Sequence, residues 1–253
     1  MMSRLRIKNS VVFTLLVAVL LGFIAFVEKK EDSKVFHKLE VIVASISDVY
    51  FVDEKEIVKI LENEFSTLKP GTPIHAIDLK SVEKKVGKHP FVKDAEAFKD
   101  LKGNVVVKIN QHKPIARVVR PMAADGYISS EGIVLPTSQK YTSRVLLIDG
   151  PNGEALLGKK DISKTDKELL ELIHFIVNDK FWNAQISSME INQKGDITLY
   201  QQVGKQTIEF GKPTEIEEKF KKIEILYKEI LPKQGWNAYD RVNVKYKDQI
   251  ICE

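Results

Sequence analysis

Residues Val11 to Val27 read VVFTLLVAVLLGFIAFV, an apolar run of about 17 residues ahead of a long mixed and charged remainder. No other feature constrains the chain as much. A run of that length lies at the short end of what crosses a hydrocarbon core of ~30 Å as a helix, and it has no polar stripe to face water. Arg4, Arg6 and Lys8 precede it with no acidic residue among them, while Glu28, Lys29, Lys30, Glu31 and Asp32 follow with mixed charge. The basic excess on the near side predicts that residues 1–10 stay in the cytoplasm and that everything after Glu28 is exported. A cleaved signal peptide is the rival. It would need a shorter apolar core and a small-x-small site, whereas Ala25-Phe26-Val27 runs directly into Glu28-Lys29-Lys30. The expectation is an uncleaved, single-pass anchor at 11–27.

With 253 residues, the length left after the anchor suffices for two ordinary domains. The net charge of +4 is spread along the chain with no stripe of arginines and aromatics, which argues against nucleic acid. Cys252 is the single cysteine, so no intrachain disulfide can hold an exported fold together and the domains must rest on apolar cores. Cys252 itself reads as an inert residue.

Residues 28–34 form a charged spacer. Leu39 to Val43 alternates and is β-branched, a strand. Asp53 and Glu56 form a capping box for a helix carrying Ile57, Ile60, Leu61 and Phe65, and Pro70-Gly71-Thr72-Pro73 is a turn. Asp78 caps a second helix with Leu79, Val82 and Val86, closed by Gly87 and Pro90. Strands follow around Val92 to Phe98 and Val105 to Ile109, and Pro114 ends this strand-helix-helix-strand-strand unit.

The second part opens in strands at Ala116 to Arg120, Gly126 to Ser129, Gly132 to Leu135 and Val145 to Ile148. A helix carries Leu169, Leu170, Ile173, Phe175 and Ile176. A meander follows at Ser187 to Ile191, Ile197 to Gln201 and Gln206 to Phe210. Ile216, Phe220, Ile223, Tyr227 and Ile230 mark an amphipathic helix closed by Pro232, and Arg241 to Ile251 reads as one final strand.

Catalytic signatures are sparse. Gly153 to Lys160 matches a phosphate-binding loop up to its last position, where Lys160 stands in place of the Ser or Thr that holds Mg²⁺; a basic loop is the better reading. His37, His75, His89, His112 and His174 have no metal-ligand spacing and read as surface or cap residues. No catalytic, cofactor or metal residue is assigned, and the chain is read as no enzyme. The stronger signal is the last strand. If Arg241 to Ile251 forms a sheet edge, its backbone can pair with a strand from another protein, while Val242, Val244 and Tyr246 pack or anchor.

Three stretches resemble one family. Lys88-His-Pro-Phe-Val-Lys-Asp-Ala-Glu-Ala97 followed by Gly103 to Arg117 is similar to the end of a POTRA domain and the Pro-x-Ala element of the cell-division family FtsQ/DivIB. Asp125 to Pro136 resembles the hairpin that opens that family's β domain. The resemblance covers nearly the whole chain in order. It implies an α+β fold: a single N-terminal transmembrane helix, a POTRA domain (β-α-α-β-β) at 35–113, and at 114–253 a β domain with an antiparallel sheet and flanking helices.

It also implies a non-catalytic scaffold of the divisome at the septum, without cofactor or small-molecule substrate. The partners are short single-pass proteins of the FtsB/DivIC and FtsL type, bound by the last helix and strand, with other division proteins recruited through the POTRA domain. The partner site carried over comprises Tyr227, Trp236, Arg241, Val242, Val244, Lys245, Tyr246, Asp248, Gln249 and Ile250. Lys245-Tyr246 stands where the family carries Arg-Tyr, which keeps the charge and loses the forked donor. Trp236 is either an aromatic anchor or a packed hinge residue after Pro232. Because the chain stops soon after the last strand, without the long extension of some Gram-positive members, a Gram-negative inner membrane is expected. The alternatives are a membrane-anchored periplasmic enzyme and an envelope-assembly POTRA protein.

Overall fold

The computed structural model describes residues 13–23, 34–44 and 50–253. Residues 13–23 form helix α1, whose apolar side chains, among them Phe13, Leu16, Leu20 and Phe23, are exposed. Among the described residues no helix is long and apolar enough to cross a membrane. Residues 11, 12 and 24–27 of the expected anchor, the tail at 1–10 and residues 28–33 of the spacer lie outside the described residues. The chain divides into two compact units, one of residues 1–44 and 52–110 and one of residues 45–51 and 111–253.

In the first unit, β1 (Leu39–Val43), α2 (Glu54–Glu64), α3 (Leu79–Val86), β2 (Val92–Lys99) and β3 (Val105–Gln111) follow the order expected from sequence. The strands form a sheet in the order β1-β3-β2, with β1 parallel to β3 from Leu39↔Val105 to Val43↔Ile109. A parallel pair needs a crossover, and α2 and α3 lie within it. Both helices start on aspartate caps: Asp53 accepts from the Lys55 amide at 2.8 Å and Asp78 from the Ser81 amide at 3.2 Å. Ile57 and Leu61 of α2 and Val82 and Val86 of α3 are buried, as are Val105, Val107 and Ile109 of the central strand. Phe65 is not helical. It is the C-cap, with extended backbone, donating its N–H to Leu61.

The second unit is built on a sheet of nine strands: β4 (Pro114–Val118), β5 (Gly126–Ser129), β6 (Val134–Pro136), β7 (Leu146–Asp149), β8 (Ile186–Ile191), β9 (Ile197–Gln201), β10 (Thr207–Gly211), β11 (Arg241–Asn243) and β12 (Ile251–Cys252). Their order is β12-β11-β10-β9-β8-β7-β4-β5-β6. The expected antiparallel sheet is in fact mixed: β4/β7, β7/β8 and β10/β11 pair parallel. Each parallel pair is separated in sequence by other elements, which is the topological requirement for strands to enter from the same end. Between β7 and β8 stand α4 (Pro151–Ala155), a 3-10 turn, α5 (Lys167–Asn178) and α6 (Lys180–Gln185); α4 and α6 were not foreseen from sequence.

In β7 alternation buries Leu146 and Ile148 against exposed Leu147 and Asp149, whereas β5 in the interior of the sheet is buried at every position. The buried face joins Leu172, Ile173 and Ile176 of α5 and Phe220 and Ile223 of α7 (Ile216–Ile225) in one core.

Two features differ from the sequence reading near the C-terminal end. Pro232 does not close the last helix. α7 runs into a π turn (Leu226–Ile230) and on into α8 (Leu231–Gln234), with Pro232 inside the continued helix directly after the π turn. Nor is Arg241 to Ile251 one strand. The chain leaves β11 after Asn243, reverses through a turn in which Asp248 takes φ 57°, and returns as β12 antiparallel to β11. At the far edge β6 is covered by the chain itself, since the Val134 amide donates to Lys160 and Ile133 bridges to Asp161. β12 is thus the sheet edge with no strand beyond it among the described residues.

Candidate functional site

β11 is held on both flanks. On one, the Thr207 amide donates to Asp240 at 2.9 Å and the Val244 amide to Glu209 at 3.1 Å; on the other, Arg241 and Glu253 exchange N–H···O bonds at 3.0 and 2.9 Å. This corrects the expectation that the strand beginning at Arg241 offers its own backbone to a partner, because both of its edges are used within the chain. The pairing alternates along an antiparallel ladder, so the N–H and C=O of Cys252, opposite Val242, are directed away from β11.

The side chains around this edge have distinct duties. Val242 and Val244 are fully buried in the core and present nothing to a partner. Glu209 gathers three neighbours: Asn243 Nδ2 at 2.7 Å, Lys245 Nζ at 2.8 Å and the Arg241 guanidinium at 3.4 Å. Arg241 also pairs with Glu253, and this exposed ion pair raises its pKa further. Tyr246, Asp248 and Gln249 are exposed on the turn, while Ile250 and Cys252 lie partly buried against the core. Burial pushes the Cys252 thiol up, which disfavours its thiolate.

Tyr227 and Trp236 fall elsewhere. The π turn carries Tyr227, and the turn after α8 carries Trp236; their rings lie 6.4 Å apart and 25° from parallel. The structure adds two residues to them that sequence reasoning missed, Phe181 and Trp182 of α6. Phe181 lies 4.8 Å from Trp182 and 6.1 Å from Tyr227, close to perpendicular to both. The readable signal was Asp179, which caps α6 through the amides of Phe181 and Trp182 at 2.8 and 2.9 Å.

Together with Gln185, Glu224 and Lys228 these residues line a groove of about 590 Å³. Its floor is fixed by polar contacts. The Tyr227 hydroxyl donates to Gln201 Oε1 at 2.6 Å, and Gln185 Nε2 donates to the same oxygen at 3.1 Å. Burial pushes the Tyr227 phenol up to about 12, so the groove floor is neutral at physiological pH. Trp236 is 58% exposed, and its carbonyl accepts from Gln206 Nε2. It stacks on Tyr227 and remains mostly exposed, a surface residue rather than a packed one.

The other sequence candidates resolve into structural roles. Gly153 to Gly158 is helical, and its Lys159 pairs with Asp166, so the string is neither a phosphate cradle nor the plain basic loop expected. His174 contacts the Ser130 carbonyl at 2.9 Å and His112 the Glu131 carboxylate at 3.2 Å. Among the described residues no three His, Cys, Asp or Glu side chains gather as metal ligands.

Comparison with known proteins agrees with this architecture. Residues 34–110 match the model of a POTRA-like domain, and residues 113–253 match the family described as FtsQ/DivIB, C-terminal related. The chain is also 24% identical over 182 residues to the Cell division protein FtsQ of Syntrophotalea carbinolica, an alignment covering 71% of this chain. It spans 64% of the length of that relative. A family model that matches more than half of the chain, behind a POTRA-like domain and on a mixed β-domain sheet, shows that this protein belongs to the FtsQ/DivIB family.

Proposed function

We propose that the chain is a non-catalytic, bitopic scaffold of the bacterial division machinery, anchored in the inner membrane with its bulk in the periplasm at the septum. Its second unit takes a short single-pass partner of the FtsB/DivIC type, together with FtsL, and its POTRA-like unit recruits further division proteins. One observation carries the docking part of this reading. The sheet ends on β12, with the Cys252 backbone directed outward and exposed Tyr246 and Ile251 nearby. An uncovered strand edge is a template for strand addition. The partner therefore pairs with β12, and the contacts of the turn at Tyr246, Asp248 and Gln249 flank the added strand. Membrane anchoring of both partners raises their effective concentration and relieves the short edge of supplying all of the affinity.

The test is capture from detergent-solubilised membranes with the full chain and with a Cys252→Pro variant. Loss of a small single-pass, coiled-coil-forming protein in the variant, with unchanged circular dichroism, supports the edge. Equal capture moves the partner off β12. A chain that captures no membrane protein in either form removes the scaffold reading.

A further inference from the structure

The aromatic groove between α6, the π turn and Trp236 is separate from the β12 edge, and its composition is specific. Trp182 and Tyr227 are nearly buried, whereas Phe181 and Trp236 stand 53% and 58% exposed, so aromatic side chains meet solvent at the groove. Single exposed aromatics are unremarkable, but two exposed rings converging on two buried ones in one concavity are not scattered surface. Ring faces carry negative electrostatic potential and attract cations over apolar groups of the same size. The rest of the molecule uses the same chemistry: Lys219 sits 4.8 Å from the Phe210 ring and Lys108 5.1 Å from Phe98.

The charged side chains of the lining sum to a net negative charge. Two carboxylates, Asp179 and Glu224, border the groove against one ammonium, Lys228. Lys228 is held by Glu224 one helical turn before it, so the cation already present is matched by one carboxylate. Asp179 accepts both cap bonds through Oδ1, and it is the lining carboxylate without a lysine one helical turn away. The remaining charge of the lining is negative, beside the partly exposed rings of Phe181 and Trp236. An apolar side chain would bury that carboxylate without compensation, and an acidic one would be repelled.

We propose that this groove is a docking site for an arginine side chain presented by a partner protein. A guanidinium is planar, stacks on Trp and Tyr faces, and carries a fork of donors that fits a carboxylate at the rim; a lysine ammonium lacks the plane and the fork. Phe181 and Trp236 supply the faces and Asp179 the acceptor. The proposal rests on the reading of the second unit as a protein-docking domain, yet it concerns a surface apart from β12.

The chain has two tryptophans, Trp182 and Trp236, and both line the groove. Their indole N–H resonances report on it directly. The experiment titrates the full chain, in detergent micelles, with Nα-acetyl-arginine amide and with its uncharged isostere Nα-acetyl-citrulline amide. The expected result is a saturable shift of the Trp236 indole signal with the arginine compound and at least a tenfold weaker response to the citrulline compound. Phe181→Leu, which keeps an apolar wall and removes the ring, and Asp179→Asn, which keeps a competent helix cap and removes the charge, should each weaken the response at least fivefold. Equal response to both compounds, no saturable shift, or a response indifferent to both substitutions overturns the proposal. The strand edge is tested by capture through Cys252→Pro, so failure of either reading leaves the other measurable.

Discussion

The ammonium of Lys222 donates to the backbone carbonyl of Tyr246 and, at 3.3 Å, to that of Val244. Lys222 is 8% exposed on α7, so a buried cation pins the chain as it leaves β11 and sets where the exposed Tyr246 side chain emerges. Charge-assisted bonds to carbonyls are worth about 1.5–3 kcal/mol, and losing the donor leaves acceptors unpaired. Lys222→Met is expected to destabilise the chain by about 2 kcal/mol. Amide exchange should rise first over residues 244–250. Uniform loss of protection across the second unit would show instead that Lys222 matters only to the global fold.

Proline substitution separates the two flanks of the terminal hairpin. The Val244 amide is a ladder donor to Glu209 at 3.1 Å, whereas the Cys252 amide is directed to the outer edge. Val244→Pro removes the donor and leaves the Glu209 carbonyl unpaired, at a cost of about 1–3 kcal/mol before any steric strain. Cys252→Pro should change stability by less than about 1 kcal/mol, because edge positions tolerate proline. Urea midpoints of the two variants check the contrast. Equal losses would mean that the Cys252 amide is engaged.

Two phenols should resist ionisation. Tyr200 donates to the Glu190 carboxylate at 2.6 Å, and this bond, with burial, pushes its pKa up to about 12; burial does the same for Tyr227. A group raised above its ordinary value of 10.0 stabilises the fold in its protonated form. That contribution is complete below pH 10 and is lost as pH rises toward about 12. Ultraviolet titration of the seven tyrosines should show a late phase, from which Tyr200→Phe and Tyr227→Phe each remove a part. A single phase near pH 10 in a chain that keeps its circular dichroism would refute the assignment.

Gly103 shows how closely the first unit is built. It takes φ +87°, and a Cβ there would stand 2.5 Å from the Val35 carbonyl and 2.9 Å from the His37 ring. Its own carbonyl accepts from the His37 amide at 3.0 Å. Gly103→Ala should cost about 2–4 kcal/mol, the sum of left-handed strain and overpacking. Calorimetry should show the loss in the transition of the first unit while that of the second unit stays put. An unchanged first transition would count against this geometry.

The strand-helix-helix-strand-strand order was legible because its signals are local: aspartate caps at Asp53 and Asp78, alternating β-branched residues in β1, the apolar run of β3, and turns at Gly71 and Gly103. The groove was half legible. Tyr227 and Trp236 belong to the amphipathic helix and its exit, but Phe181 and Trp182 lie on a short helix whose apolar residues are too few to show a period. The terminal hairpin was misread as one strand because Val242, Val244 and Tyr246 alternate correctly and no glycine or proline marks the reversal; Asp248 supplies the left-handed turn instead.

The sequence by itself determined which segments bury an apolar face, because helical and extended periods are written in neighbouring residues, and its motifs pointed to the family. Only the tertiary structure decided which strands pair, and in which sense. Whether β11 lies beside β10, and whether Cys252 then turns its backbone outward, depends on contacts between residues far apart in the chain. Their free energy comes from joint burial in one core, and no single segment carries it.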